Sequence, residues 1–153
     1  MDEASVGASN LYINILGYLQ DMAQSLEYLN KISHKHIHNN HKKLKYNQIK
    51  ELKEIDLELQ KLLSATKAAF ETRSFERIGE IFASKQELLD MVSQKIEKQI
   101  ARTRTEESSP KNTTLYFTFL LETKDFINAT MNLLELYYNE HDSTVTPAKL
   151  EVQ

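Results

Sequence analysis

Residues 110–141, PKNTTLYFTFLLETKDFINATMNLLELYYNEH, decide the fold. The segment has one proline, at its first position, and no glycine. Ser109 followed by Pro110 is an N-cap and N1 combination, because the donor that proline lacks would be an orphan there anyway. The result is one long, strongly apolar helix, read here to about Asn139. Thr118, Glu122 and Asp125 share one flank, and Thr123, Thr130 and Asn132 interrupt the rest. A helix this apolar has to be covered by neighbours, and each polar group buried with it then needs a hydrogen-bond partner or an ion.

The rest of the chain supplies helical neighbours. Three glycines and two prolines in 153 residues leave too little punctuation for a sandwich or a dinucleotide-binding fold. With no cysteine there is no disulfide framework, thiolate zinc site, iron–sulfur cluster or cysteine nucleophile. The formal charge of −3 gives no overall basic field, and no nucleic-acid partner is expected. No window approaches the roughly 18 apolar residues that would span a bilayer, and MDEASVGASN lacks the basic and apolar regions of a signal peptide, so a soluble chain is expected.

Residues 1–7 read as a leader or linker, 8–141 as a single helical domain, and 142–153 as a flexible tail. Helix 1 is expected from Ala8 to about Asn40, with Leu11, Ile15, Leu19, Met22, Leu26, Leu29 and Ile32 in one stripe. Asn47 is the expected N-cap of helix 2, whose stripe is Ile49, Leu52, Ile55, Leu59, Leu62, Leu63 and Thr66. Ser74 is the expected N-cap of helix 3, which carries Phe75, Ile78, Phe82, Leu89, Val92, Ile96 and Ile100 inward. Short connections between long amphipathic helices give an all-α fold, a four-helix up-down-up-down bundle. A three-helix core with helix 1 or helix 4 exchanged between protomers is the alternative, and apolar helix 4 leaves room for a homodimer face.

Three groups of side chains are candidate sites. His34, His38 and His41 fall on one side of helix 1, which is usable metal-ligand geometry, but the stretch from Tyr28 through Lys50 holds no carboxylate and six lysines. Lys35, Lys42, Lys43 and Lys45, joined by Arg102, Arg104 and Lys111 from the turn between helices 3 and 4, make one end of the rod positive. Such an end suits phosphate, an acidic partner surface or anionic lipid headgroups. Glu122 and Asp125 on helix 4, Glu87 and Asp90 on helix 3, and Asp21 on helix 1 come to a similar height in antiparallel packing. This acidic layer could take a divalent or iron-type cation, while Lys124, Lys85 and Lys95 offer ordinary ion pairs to the same carboxylates. No histidine follows a glutamate by three residues, which argues against a di-iron oxidase bundle. There is no P-loop, Gly-x-Ser-x-Gly elbow or glycine-rich dinucleotide turn, and no enzyme is expected.

The strings LYINILGYLQDMAQSLEYLNKISHKHIHNNHKKLKYNQIKELKEID, SFERIGEIF and IEKQIARTRTEESSPKNTTLYFTFLLETKDFINATMNLLELYYNEHD resemble the PhoU-like domain that follows the membrane permease in bacterial inorganic phosphate transporters. The resemblance covers about Ser9 to Asp142. It implies a PhoU-like, non-enzymatic regulatory domain at the cytoplasmic face of the membrane, coupled to a phosphate permease in the same full-length chain. PhoU proteins carry acid-x-x-x-Asp motifs that hold iron or zinc clusters. Here the residues four before Asp21, Asp56, Asp90 and Asp125 are Gly17, Leu52, Gln86 and Leu121, so those metal ligands do not carry over. A metal-binding bundle using the midlevel carboxylates or the histidines is the alternative.

Overall fold

The computed structural model describes residues 3–39, 43–105 and 109–141. They form α1 (Glu3–His38), α2 (Tyr46–Thr72), α3 (Ile78–Thr105) and α4 (Pro110–His141), with no strand among them. The all-α, four-helix architecture expected from periodicity is present. The expected tail, 142–153, and the residues 40–42 of the first loop lie outside the described residues.

Several helix ends differ from expectation for local reasons. α1 begins at Glu3, not Ala8, and Gly7 lies within it. α2 starts two residues early: its cap is Lys45, not Asn47, with extended backbone (φ −71°, ψ 158°) and an N–H that donates to the Gln48 side chain at 2.8 Å. Ser74 does not cap α3. It follows Arg73, whose left-handed φ of 53° ends α2, and a tight turn with Ile78 N–H on the Phe75 carbonyl (3.1 Å) delays the next helix to Ile78. Ser109 does cap α4: its carbonyl accepts from Thr113 N–H at 3.0 Å and its Oγ lies 3.5 Å from Asn112 N.

The core belongs to three helices. Ile55, Leu62 and Ala69 of α2, Ile81, Leu88 and Val92 of α3, and Tyr116, Leu120, Ile127, Met131 and Leu134 of α4 form one buried cluster without α1. Cross-links fix the directions: Gln48 meets Gln99 and Glu54 meets Lys95, so α2 and α3 are antiparallel, whereas Gln48 meets Asn112 and Phe70 meets Tyr137, so α2 and α4 are parallel. α1 packs on the outer side of α4 instead of closing a four-sided core. α4 is thus flanked by α1 as well as by α2 and α3, with Leu121 left 52% exposed.

The polar residues within α4 are largely self-sufficient. Thr118, Thr123 and Thr130 each donate to the carbonyl four residues earlier, at 2.7, 2.6 and 2.8 Å. Their hydroxyls therefore need no external partner, and the row that suggested a working face is partly a backbone-satisfied one.

The inward stripes also differ by one position from those read off the sequence. In α1 the half-buried or buried positions are Leu11, Ile15, Tyr18, Met22, Ser25, Leu29, Ile32 and His36, while Leu19 and Leu26 stay 45% and 54% exposed. In α2 and α3, Gln48, Glu51, Lys95 and Gln99 turn inward, and Ile49 and Ile100 turn out. An apolar count cannot anticipate a core that is polar at one end.

Candidate functional site: the polar end of the bundle

The end where α2 begins, α3 finishes and α4 begins contains a buried hydrogen-bond network. Gln48 is its hub: Oε1 accepts from Lys45 N–H, and Nε2 donates to Gln99 Oε1 at 3.3 Å and Asn112 Oδ1 at 2.9 Å. Asn112 Nδ2 in turn donates to the Lys43 carbonyl at 3.0 Å, tying the loop after α1 to the start of α4. Asn112, whose Asn-Thr-Thr sequence matches a glycosylation sequon, is 3% exposed and committed to this network.

One turn deeper, the Glu51 carboxylate accepts from both terminal nitrogens of Arg102, each at 2.8 Å, and from the Tyr116 hydroxyl. The guanidinium carbon also lies 5.8 Å from the centre of the Tyr116 ring, within cation–π range. Arg102 Nε is buried without a hydrogen-bond partner among the described residues. Beside this triad, Lys95 Nζ donates to Glu54 Oε2 at 2.7 Å. Bidentate pairing offsets the desolvation of the two charges, and three helices are thereby held in one register.

The electrostatics follow from this geometry. Burial pushes the Glu51 carboxyl up, but hydrogen bonds from Arg102 and Tyr116 and the charges of Arg102 and Lys95 bring it below its ordinary 4.5. Hydrogen bonding to Glu51 raises Arg102, and burial, followed by the Glu51 contact, raises Tyr116. A carboxylate whose proton affinity is lower folded than unfolded contributes stability that is complete above its unfolded value, near 4.5, and lost as pH falls through its folded value. Unfolding free energy followed by circular dichroism is expected to fall with pH below that range, and Glu51→Gln is expected to flatten that part of the profile. An unchanged slope in the variant would assign acid sensitivity to other groups.

The basic residues separate into two kinds. Arg102 is a structural partner of Glu51 and not a free surface cation, a correction to its expected place in the positive end: its chain position was right, but a carboxylate one helix away was not visible in the spacing. Lys35, Lys43, Lys45, Arg104 and Lys111 are exposed at that end, and Lys42 lies outside the described residues.

The carboxylates separate as well. Asp21, Glu122 and Asp125 line a groove of about 680 Å³ between α1 and α4, with Gln24, Glu27 and Lys31. Glu87 lines a different groove, of about 560 Å³, whose walls come from α2, α3 and the turn joining them. Asp90 accepts from Gln86 Nε2 at 2.9 Å on its own helix. Three of the five residues expected in the acidic layer thus border one groove, while the other two lie elsewhere. The expected lysine partners go elsewhere: Lys95 to Glu54, and Lys124 to Ser93 Oγ at 3.5 Å. Among the described residues no three His, Asp or Glu side chains are grouped closely enough to hold a metal ion. His34 and His38 stack with ring centres 6.2 Å apart, His36 is buried, and His41 lies outside the described residues.

Sequence reasoning missed Gln48, Glu51, Gln99, Asn112 and Tyr116. The available signal was positional: Gln48, Ile55, Leu62 and Ala69 recur every seven residues, so the heptad that buries three apolar residues begins on an amide. Compared with known proteins, the chain matches no family model, no curated protein and no solved structure.

Proposed function

We propose that this chain is a non-enzymatic regulatory and interaction domain of a phosphate transport system, acting at the cytoplasmic face of a membrane phosphate permease. The observation that carries the reading is the resemblance of residues 9–142 to the PhoU-like domain of bacterial phosphate transporters, spanning nearly the whole bundle. Two features are in keeping with it. Exposed Lys43, Lys45, Arg104 and Lys111 collect at the end where the Gln48–Asn112 network holds the helices together, and a positive end of this kind favours anionic lipid headgroups or an acidic permease loop. The polar groups at this end of the bundle are largely engaged with one another, as in a scaffold.

No helix among the described residues is long and apolar enough to cross a membrane, so in this reading the membrane-spanning part is supplied by the permease. Removing the segment that encodes residues 8–141 from the gene of the source cell, while leaving any permease sequence in frame, is expected to change the initial rate of radiolabelled phosphate uptake several-fold. An unchanged rate at both low and high external phosphate would overturn the proposal.

A further inference from the structure

α1 carries two apolar stripes, and only one is covered. The covered stripe, from Leu11 to His36, faces α4. The second lies one residue further along at every step, with Tyr12, Leu16, Leu19, Leu26 and Ile37 exposed by 64, 47, 45, 54 and 74%. Ala23, Asn30 and Ser33 complete a strict alternation of four- and three-residue steps from Tyr12 to Ile37, which is the seam spacing of a coiled coil. The Ser33 hydroxyl does not interrupt it, since Oγ donates to the Leu29 carbonyl at 2.7 Å.

We infer that this second stripe is the interface of a homodimer, in which α1 packs antiparallel against α1 of a second copy of the chain. The exposed apolar side chains of α1, with Val6 and Ile13 beside the stripe, amount to on the order of 700 Å² per copy, near the roughly 800 Å² each partner gives a standard interface. That exceeds the apolar patch a monomer usually leaves bare. The stripe is self-complementary about a two-fold axis near Gln24. Tyr12 then meets Ile37 of the second copy, Leu16 meets Ser33, Leu19 meets Asn30, and Ala23 meets Leu26. Leu16 and Leu26 thereby oppose the small Ser33 and Ala23, as close packing favours, whereas a parallel pair would set Ala23 on Ala23 and Ser33 on Ser33. Antiparallel pairing also keeps apart the two ends that bear Lys31 and Lys35.

The inference stands independently of phosphate transport, and its test uses the 153-residue chain alone. Light scattering at tens of micromolar is expected to give twice the chain mass of 17.8 kDa. Leu19→Glu/Leu26→Glu, at positions half exposed in the bundle, is expected to give a monomer with unchanged helicity. Because the chain has no cysteine, Tyr12→Cys and Ile37→Cys report orientation directly: the two variants mixed under mild oxidation should form a covalent dimer, and neither should do so alone. A monomeric wild type would overturn the inference, including one that instead binds lipid vesicles through this stripe. So would a dimer that survives the double glutamate substitution, or Tyr12→Cys chains that cross-link only to themselves.

Discussion

Glu51→Ala is expected to lower the unfolding free energy by about 3–5 kcal/mol, the cost of breaking a buried ion pair from one side. The carboxylate is 7% exposed and accepts three hydrogen bonds, two from Arg102 and one from Tyr116. Its removal leaves the part-buried Arg102 guanidinium and the buried Tyr116 hydroxyl without their protein acceptor, and Arg102 Nε already lacks one. For a domain whose total stability is on the order of 5–15 kcal/mol, this is a large share. It corresponds to a fall in melting temperature on the order of 10 °C. The control is the triple replacement Glu51→Met/Arg102→Met/Tyr116→Phe, which removes every member of the triad together and is expected to recover most of the loss. If Glu51→Ala melts within about 2 °C of wild type, the triad does not hold the helices as described.

Leu120→Ala is expected to cost about 2.7–5 kcal/mol, and Leu121→Ala less than about 0.5 kcal/mol. The two leucines are adjacent, yet Leu120 is 0% exposed and Leu121 is 52% exposed. Leu120 sits where α4 closes the core over α2 and α3, so truncation leaves a cavity that close-packed helices only partly fill. Chemical denaturation of both variants decides the point. Similar losses at the two positions would mean that α4 is covered on the Leu121 side as well, and that the three-helix core is misplaced.

That pair of residues also shows what the sequence could convey. Four helices were legible because proline and glycine are scarce, and because apolar residues recur at three- and four-residue steps through every long segment. Which helices share the core was harder to read, because α4 is apolar nearly all round and Leu120 and Leu121 look alike. In α1 the difficulty was sharper. Two seams lie one residue apart, and the stripe of Leu19, Leu26 and Ile32 drew members from both. Only the position of α4 separates Tyr18 and Ser25, which face inward, from Leu19 and Leu26, which do not.

The polar end of the bundle was illegible for a different reason. Gln48, Glu51, Lys95 and Gln99 have the residue types of a solvated helix face, and a reading based on hydrophobicity places them there. Their burial depends on partners 41 to 65 positions away in sequence, so no local window contains the signal. Part of the acidic layer was legible, since helical spacing and antiparallel packing do set Asp21, Glu122 and Asp125 along one groove. Glu87 and Asp90 were misplaced because they were assumed to face the same side of the bundle as α4's carboxylates, whereas Glu87 opens onto the groove beside α2.

The proposed role is tested most directly by binding of the purified chain to inside-out membrane vesicles of the source cell, prepared with and without its phosphate permease. The account predicts saturable binding that requires the permease, with the lipid-facing contribution of Lys43, Lys45 and Lys111 weakening as salt is raised. Equal binding to both membranes, or none to either, would contradict it.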